Sequence, residues 1–501
     1  MKHRLILGYL GYIILIDALA IGGCGGFAFW HASNGGDPGL TKSFFIAFGV
    51  SLLVALGLIF LGSGSLREKK LLRRETVAIA SFAWAALILI GSLPYLLFEG
   101  GPGLARSLFE STSGFTTTGS TIFGVLEDLP APILLWRAIT QWLGGLGILM
   151  LFAALLPSVG AGVKSLIGSE SSAQLGAAGT PKIRVFAQHC WTMYCVLTVA
   201  CAGTLYSVAN FSTGANGISV FDTILYSLTT VSTGGFAPHS RSVGHFESWH
   251  VEALLCVFML LSSISVVLLV NIAWGRWKNT KGGRTEAIAF LAMTFIAIGL
   301  VSLNLSLSGH GTFVESLREA FFPVMALSTS AGFGTADYDG WPLLSRILLG
   351  LLMCIGGCSG STAGGFKVIR ALVGLQVFRK QIRMTYRPNL VLPARMDAQP
   401  LTASFVQATV AYLMAVAGVV LVSTLVVAGL EPQITDLTSA LGAVLATFFN
   451  MGPGFGIVGP TDNFGELNDV TIFFLAGLML LGRLEIFVLA ALFTRQFWRA
   501  Y

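Results

Sequence analysis

Charge is what this sequence has least of. Only 11% of its 501 residues are Asp, Glu, Lys or Arg, against 54% apolar residues, too few to clothe a water-soluble body of this length. Cysteine pairs are missing as well. The seven cysteines, at positions 24, 190, 195, 201, 256, 354 and 358, form no CxxC and lie mostly within apolar stretches, where a thiol is a small hydrophobe. Neither a disulfide framework nor a metal-ligand set follows. Nor is there a basic face: the net charge is +6 and the pI about 9.0, but the basic residues are scattered between apolar runs, which excludes a nucleic-acid reader. His245 and His250 stand too far apart for an HExxH helix. The Gly360 to Lys367 segment fails as a phosphate loop, because Phe366 precedes the lysine, no Ser or Thr follows it and no strand comes before. We therefore expect no nucleotide on this chain, no catalytic constellation and no enzyme activity.

What the sequence does have is apolar length, with a mean hydropathy of +0.78. Stretches of about 20 residues, long enough to cross a bilayer, occur near 5–30, 41–64, 76–98, 133–156, 185–209, 250–272, 286–308, 342–355, 402–428 and 470–493. The first has a basic start but no small-residue cleavage site, and reads as a retained span. With the N-terminus inside, most of the 30 Lys and Arg residues fall on one side, so the positive-inside rule places both termini in the cytoplasm. Lipid is the main solvent of the chain.

The opposite connections are unusual. Residues 104–120, 219–235, 315–334 and 436–456 each hold a half-apolar stretch, too short to span, followed by a turn rich in Gly, Ser and Thr. They read as re-entrant half-helices. The pattern of span, half-helix, turn and span occurs four times. The turns are FTTTGS, VSTGGF, TSAGFG and NMGPGF, and aligning them places Gly119, Gly234, Gly332 and Gly452 together. Any one could be an ordinary surface turn. Four in matching places suggest strands converging on one axis, where a ring of carbonyl oxygens can replace the water shell of a monovalent cation.

The segments STSGFTTTGSTIF, SLTTVSTGGFAPH, ALSTSAGFGT and FFNMGPGFG, with WRAITQWLGGLGI (136–148), GGCSGSTAGGFKVIR (356–370) and GRLEIF (482–487), resemble the TrkH/TrkG branch of the Trk/Ktr/HKT potassium-transport superfamily. The resemblance covers about residues 76–493. It implies an all-α polytopic membrane protein with four M1-P-M2 repeats around a central pore, plus two extra N-terminal transmembrane helices. The divisions would be 1–68 for the extension, then 69–160, 161–280, 281–395 and 396–501 for the repeats. It also implies K⁺ as the transported ion, held by main-chain oxygens at Thr117, Thr118 and Gly119; Ser232, Thr233 and Gly234; Ser330, Ala331 and Gly332; and Asn450, Met451 and Gly452. In plant relatives a Ser at the first filter Gly goes with Na⁺ preference, so four glycines favour K⁺.

Gly356, Gly357, Gly360, Gly364 and Gly365, with Cys358, Ser359, Ser361, Thr362 and Ala363 between them, would unravel a helix. The family places its gating loop here; a close-packing glycine face between helices is the alternative. Arg483 is an isolated cation in the last span, expensive unless it faces protein or water. The resemblance puts it below the filter as a pore obstruction, and a bond to Glu485 or a loop carbonyl is the plainer account. Arg137 reads as structural and Asp17 lacks an evident partner. The resemblance further implies a homodimer in a bacterial inner membrane, and a cytosolic TrkA-type RCK subunit that binds NAD(H) or ATP/ADP. Basic loops at 67–74, 164–184, 276–284 and 379–395 would dock it. A Na⁺- or H⁺-coupled symporter, or a less selective Na⁺/K⁺ transporter, is the competing expectation on the same scaffold.

Overall fold

The computed structural model describes residues 3–63, 73–155, 181–211, 218–275, 283–388, 394–397 and 399–498. The basic stretches at 67–72, 164–180 and 276–282 lie outside these. Two long helices open the chain, α1 (His3–Ser33) and α2 (Pro38–Gly62). Asp37 caps α2 by accepting a hydrogen bond from the Gly39 amide, and Pro38 supplies the fixed φ favoured in a first turn. The two helices pack backbone to backbone. A Cβ on Gly62 would fall against the Gly8 backbone, and one on Gly11 would come within 2.9 Å of Ala55 O.

Four span, half-helix, span units follow. The first comprises α3 (Arg73–Gly91), the short α4 (Leu93–Leu97), the half-helix α5 (Leu104–Phe115) and α6 (Ala131–Leu155). The second comprises α7 (Pro181–Phe211), the half-helix α8 (Val220–Val231), and α9 (Trp249–Ser263) with α10 (Val266–Ala273). The third comprises α11 (Arg284–Leu307), the half-helix α12 (Phe313–Ser328), α13 (Leu343–Ile355) and α14 (Val368–Tyr386). After a two-stranded antiparallel hairpin, β1 (Arg395–Met396) and β2 (Gln399–Pro400), comes the fourth. It comprises α15 (Ala403–Leu430), the half-helix α16 (Leu437–Phe448), α17 (Asp469–Leu484), α18 (Ile486–Leu492) and the terminal α19 (Arg495–Trp498).

Among the described residues six helices are long and apolar enough to cross a bilayer. The sequence predicts one interrupted span, the eighth, and the structure interrupts three. Besides the 356–367 break between α13 and α14, the chain bends by 101° between α9 and α10 and by 107° between α17 and α18. The expected single spans near 250–272 and 470–493 are thus broken helices. The first bend has a tertiary cause: the Ser263 carbonyl accepts from the Cys358 amide, and the Val266 amide donates to Gly360 O, so the 356–367 loop takes backbone groups that a continuous helix would have paired internally.

Three of the four half-helices start at a side-chain cap. Ser219, Thr312 and Asp436 accept from the amides of Asp222, Glu315 and Ser439. Each half-helix then runs inward and becomes fully buried toward its C-terminal end, so that polar groups such as Ser111, Thr229, Ser328 and Thr447 reach the interior. That polarity is answered locally, since the Thr229 and Thr447 hydroxyls return to carbonyls one turn back.

Gly62→Leu is expected to wedge α1 from α2, because the atoms in its way are backbone and cannot rotate aside. Overpacking of this kind costs about 1–3 kcal/mol, and a lower thermal midpoint of the detergent-solubilised protein is the check.

Candidate functional site

The four turns that follow the half-helices repeat one backbone conformation. Beyond each helical end a non-glycine residue takes a left-handed φ: Thr117 (52°), Thr233 (52°), Ser330 (54°) and Asn450 (56°). Its amide donates to the carbonyl three residues back (Gly114, Thr230, Leu327, Thr447), and the next amide donates to the carbonyl five back (Ser113, Thr229, Ala326, Ala446). Two of the last carbonyls of every half-helix are thereby satisfied. Two residues after the left-handed one comes a positive-φ glycine: Gly119 (89°), Gly235 (82°), Gly332 (68°) and Gly452 (88°).

This pattern corrects the alignment of the second turn by one residue. Gly235, not Gly234, stands where Gly119, Gly332 and Gly452 stand, and the expected triplet Ser232, Thr233 and Gly234 becomes Thr233, Gly234 and Gly235. Ser232 is instead the residue that ends the half-helix.

The four strands close into a ring. A Cβ added to Gly119 would land on Gly234 O, one on Gly235 on Ala331 O, one on Gly332 on Met451 O, and one on Gly452 at 3.0 Å from Thr118 O. Each glycine thus abuts the carbonyl of the next unit, and the fourth unit returns to the first. Glycine is required here by both φ and space. Among the described residues, only two of the twelve triplet carbonyls accept hydrogen bonds: Gly234 from Gln141 Nε2 (2.6 Å) and Gly452 from Ser120 Oγ (2.7 Å). The rest converge without donors, most of them on buried residues. Gly119, Gly235, Gly332 and Gly452 also line an open cavity of about 90 Å³ on the half-helix side.

Four side chains that the sequence left unremarked or half-read brace this ring. Glu110, on α5, is fully buried and pairs with the equally buried Arg137 of α6 at 2.8 Å. Arg137 also donates to Ala237 O (3.1 Å) and Thr121 Oγ1 (3.1 Å) and lies 4.1 Å from the Phe236 ring centre. Glu110 accepts from Thr121 Oγ1 and the Ile122 amide. One ion pair therefore fastens the strand after the first turn to that after the second. Gln141 repeats the link one turn along α6, accepting from the Phe236 amide as it donates to Gly234 O. Asn450 Nδ2 reaches Thr118 Oγ1 (2.9 Å) and Met479 O (3.0 Å), joining the fourth turn to the first. The available signal was a Glu inside a half-apolar helix and a Gln inside an apolar span.

The 356–367 loop lies against the other side of the turns. Gly365 N donates to Phe449 O (2.9 Å), Gly364 N to Ser330 Oγ (2.5 Å), and Thr233 Oγ1 meets Thr362 Oγ1 at 3.2 Å, so the loop touches the second, third and fourth strands. It folds back on itself where Phe366 N and Lys367 N donate to Cys354 O and Ile355 O, and Lys367 Nζ donates to Ala363 O. At Gly356 (φ 68°) a Cβ would strike Gly364 O, and at Gly364 it would strike Phe449 O. These glycines serve a loop docked on backbone, not a helix-packing face.

Arg483, 4% exposed, donates through Nη1 to Thr362 O at 3.0 Å, while its Nε and Nη2 have no hydrogen-bond partner among the described residues. Glu485 pairs with Arg370 instead, at 2.6 Å. Of the plainer accounts of Arg483, the loop carbonyl holds and the Glu485 bridge does not. At the mouth, burial pushes the Glu127 carboxyl up, but hydrogen bonds from the Ser240 hydroxyl and amide outweigh it and hold the group below its ordinary range.

A family model described as TrkH, a cation transport protein, matches residues 41–499. The chain belongs to the TrkH family. The full-length match is plain among relatives. The TrkH potassium uptake protein of Halomonas elongata is 34% identical and covers 100% of both chains. That of Salmonella typhimurium is 34% identical over 93% of each. The crystal structure of the potassium transporter TrkH from Vibrio parahaemolyticus superposes with a TM-score of 0.85 at 31% identity, covering 100% of both chains. The helical, many-spanned fold of this chain is thus a TrkH fold.

Arg137→Ala is expected to strand a buried carboxylate and unfasten two turns of this TrkH-family protein. Breaking one side of a buried pair costs about 3–5 kcal/mol. Loss of monodisperse, folded protein on size exclusion is the expected outcome, partly relieved when Glu110→Gln is added.

Proposed function

We propose that this chain carries K⁺ inward across a bacterial inner membrane as the ion-translocating subunit of a Trk-type system. The observation that carries the reading is the closed ring of backbone carbonyls, ten of the twelve without a hydrogen-bond donor among the described residues. Buried peptide carbonyls are almost always paired, and a set left unpaired around one axis suits a dehydrated cation that supplies the missing partner. The K⁺ ligands would be the main-chain oxygens of Thr117, Thr118 and Gly119; Thr233, Gly234 and Gly235; Ser330, Ala331 and Gly332; and Asn450, Met451 and Gly452. The half-helices turn their negative C-terminal ends toward the same place, which favours positive charge there. The relatives are named Trk system potassium uptake proteins, in keeping with this choice of ion.

In this reading the half-helix side faces outward, with both termini cytoplasmic. The membrane potential drives K⁺ inward, worth about 2.3 kcal/mol per charge per 100 mV, so the chain itself supplies no pump chemistry. The 356–365 loop and Arg483 act as the gate. A like charge about 4 Å from the path opposes a cation by about 4 kcal/mol at an effective dielectric of about 20. Two copies form the working dimer, and a cytosolic TrkA-type subunit responding to NAD(H) or ATP/ADP acts from below. The exposed Arg379 and Arg383 of α14, with Arg387 just beyond its end, belong to the surface it would meet.

Gly119→Ser and Gly235→Ser should each lower the K⁺/Na⁺ permeability ratio, measured from reversal potentials in liposomes. Gly234→Ala should lower it less, because its added carbon meets the movable Gln141 side chain. Unchanged ratios in both serine variants would count against the filter.

Arg483→Ala should raise K⁺ flux about tenfold, which needs only a third of the barrier above. Properly inserted protein with unaltered flux would remove Arg483 from the gate.

A further inference from the structure

Glu286 has no part in the conduction path described so far. It stands in the first turn of α11 and is 1% exposed, yet its hydrogen bonds reach the 356–367 loop and the helix that follows it. Its Oε1 accepts from the Ser359 amide at 2.7 Å and from the Ile369 amide at 3.1 Å. One oxygen thus holds the early part of the loop and the first turn of the helix into which the loop runs. Lys367, the residue at the start of α14, offers no capping side chain. Glu286 supplies that cap from a neighbouring helix, where a carboxylate is favoured by the exposed amides and the dipole.

The start of α11 is itself held. Asp397, at the tip of the β1–β2 hairpin, accepts from Gly283 N (2.9 Å), Thr285 N (3.0 Å) and Thr285 Oγ1 (2.6 Å). The hairpin is tied to α14 through Gln376, whose amide group exchanges two 2.9 Å hydrogen bonds with the Arg395 backbone. The hairpin, the start of α11, Glu286 and both ends of the loop form one hydrogen-bonded chain. It begins on the side opposite the half-helices, where the proposed cytosolic subunit would act.

We propose that Glu286 is a positioning residue that latches the gate loop under the filter, and that Asp397 sets the latch from the hairpin. The proposal rests on the gating role given to this loop above. Movement of α14 or of the hairpin would displace the start of α11, withdraw the carboxylate from both amides together and free the loop. Weakening the latch therefore has two consequences, easier K⁺ passage and exposure of a loop residue that is otherwise shut away.

Cys358, 1% exposed and within the loop, reports the second directly. The full chain, with the other six cysteines replaced, is reconstituted in liposomes. Maleimide modification of Cys358 and K⁺ flux are measured for the parent and for Glu286→Ala, Glu286→Gln and Asp397→Asn. Losing two charge-assisted bonds should raise the Cys358 rate at least about tenfold in Glu286→Ala, with flux rising in parallel. Glu286→Gln, which keeps an acceptor oxygen, should fall between it and the parent, and Asp397→Asn should move the same way by less. Folded Glu286→Ala with Cys358 rate and flux both at parental values would overturn the latch. If Glu286→Ala fails to insert, an unchanged Cys358 rate in Glu286→Gln does the same. Should the parent pass no K⁺ while Glu286→Ala still exposes Cys358, the latch stands and the transport reading fails.

Discussion

Peptide carbonyls gathered inside a protein without donors are costly, at about 1–3 kcal/mol each when buried and unmet, and no single turn could hold them there. The surrounding architecture answers that constraint. Each turn is entered from a half-helix, two of whose last carbonyls accept from the amides of the turn. Each glycine lets the neighbouring strand approach to backbone contact, and a shell of buried polar groups ties the strands sideways. The Glu110–Arg137 pair, Gln141 and Asn450 are part of that shell. A buried ion pair contributes little to net stability over an apolar substitute, but its directional bonds fix where Ala237 and Thr121 lie, and so where the turns lie.

The loop below the ring and the bends in the neighbouring helices are two halves of one arrangement. α9 ends at Ser263 because the Ser263 carbonyl and the Val266 amide find partners in Cys358 and Gly360. α17 ends beside Glu485, at a φ of 66°, with Arg483 turned to Thr362 O and Glu485 turned to Arg370. A loop without Cβ atoms at 356, 364 and 365 can come close enough to make these exchanges. Local opening of such a segment need not disturb the ring, since its hydrogen bonds are made on only one side of the turns.

Much of this was legible in the sequence because it follows from length and period. Half-helices too short to span, the order of units and the place of the turns all depend on local composition. The slip at VSTGGF has a different origin: two adjacent glycines satisfy any motif, and only the capping hydrogen bonds from Thr233 and Gly234 choose between them. The bends at 264–265 and 485 carry neither Gly nor Pro, being imposed by partners more than ninety residues distant in the chain or by a charged side chain. The roles of Glu110 and Gln141 were hidden for the same reason, since burial among named partners is a property of the folded arrangement.

Joining four units in a single polypeptide has an electrostatic consequence. In an assembly of four identical subunits, any residue near the axis appears four times, and an arginine at the level of Arg483 would gather four guanidinium groups around one passage. Covalent fusion lifts that symmetry. This protein installs a lone guanidinium, one asparagine bridge and one docked loop, each tuned without copying itself into the other three quadrants. In the proposed pore the obstacle to a cation would then be sized to a single charge, small enough for a modest displacement to remove.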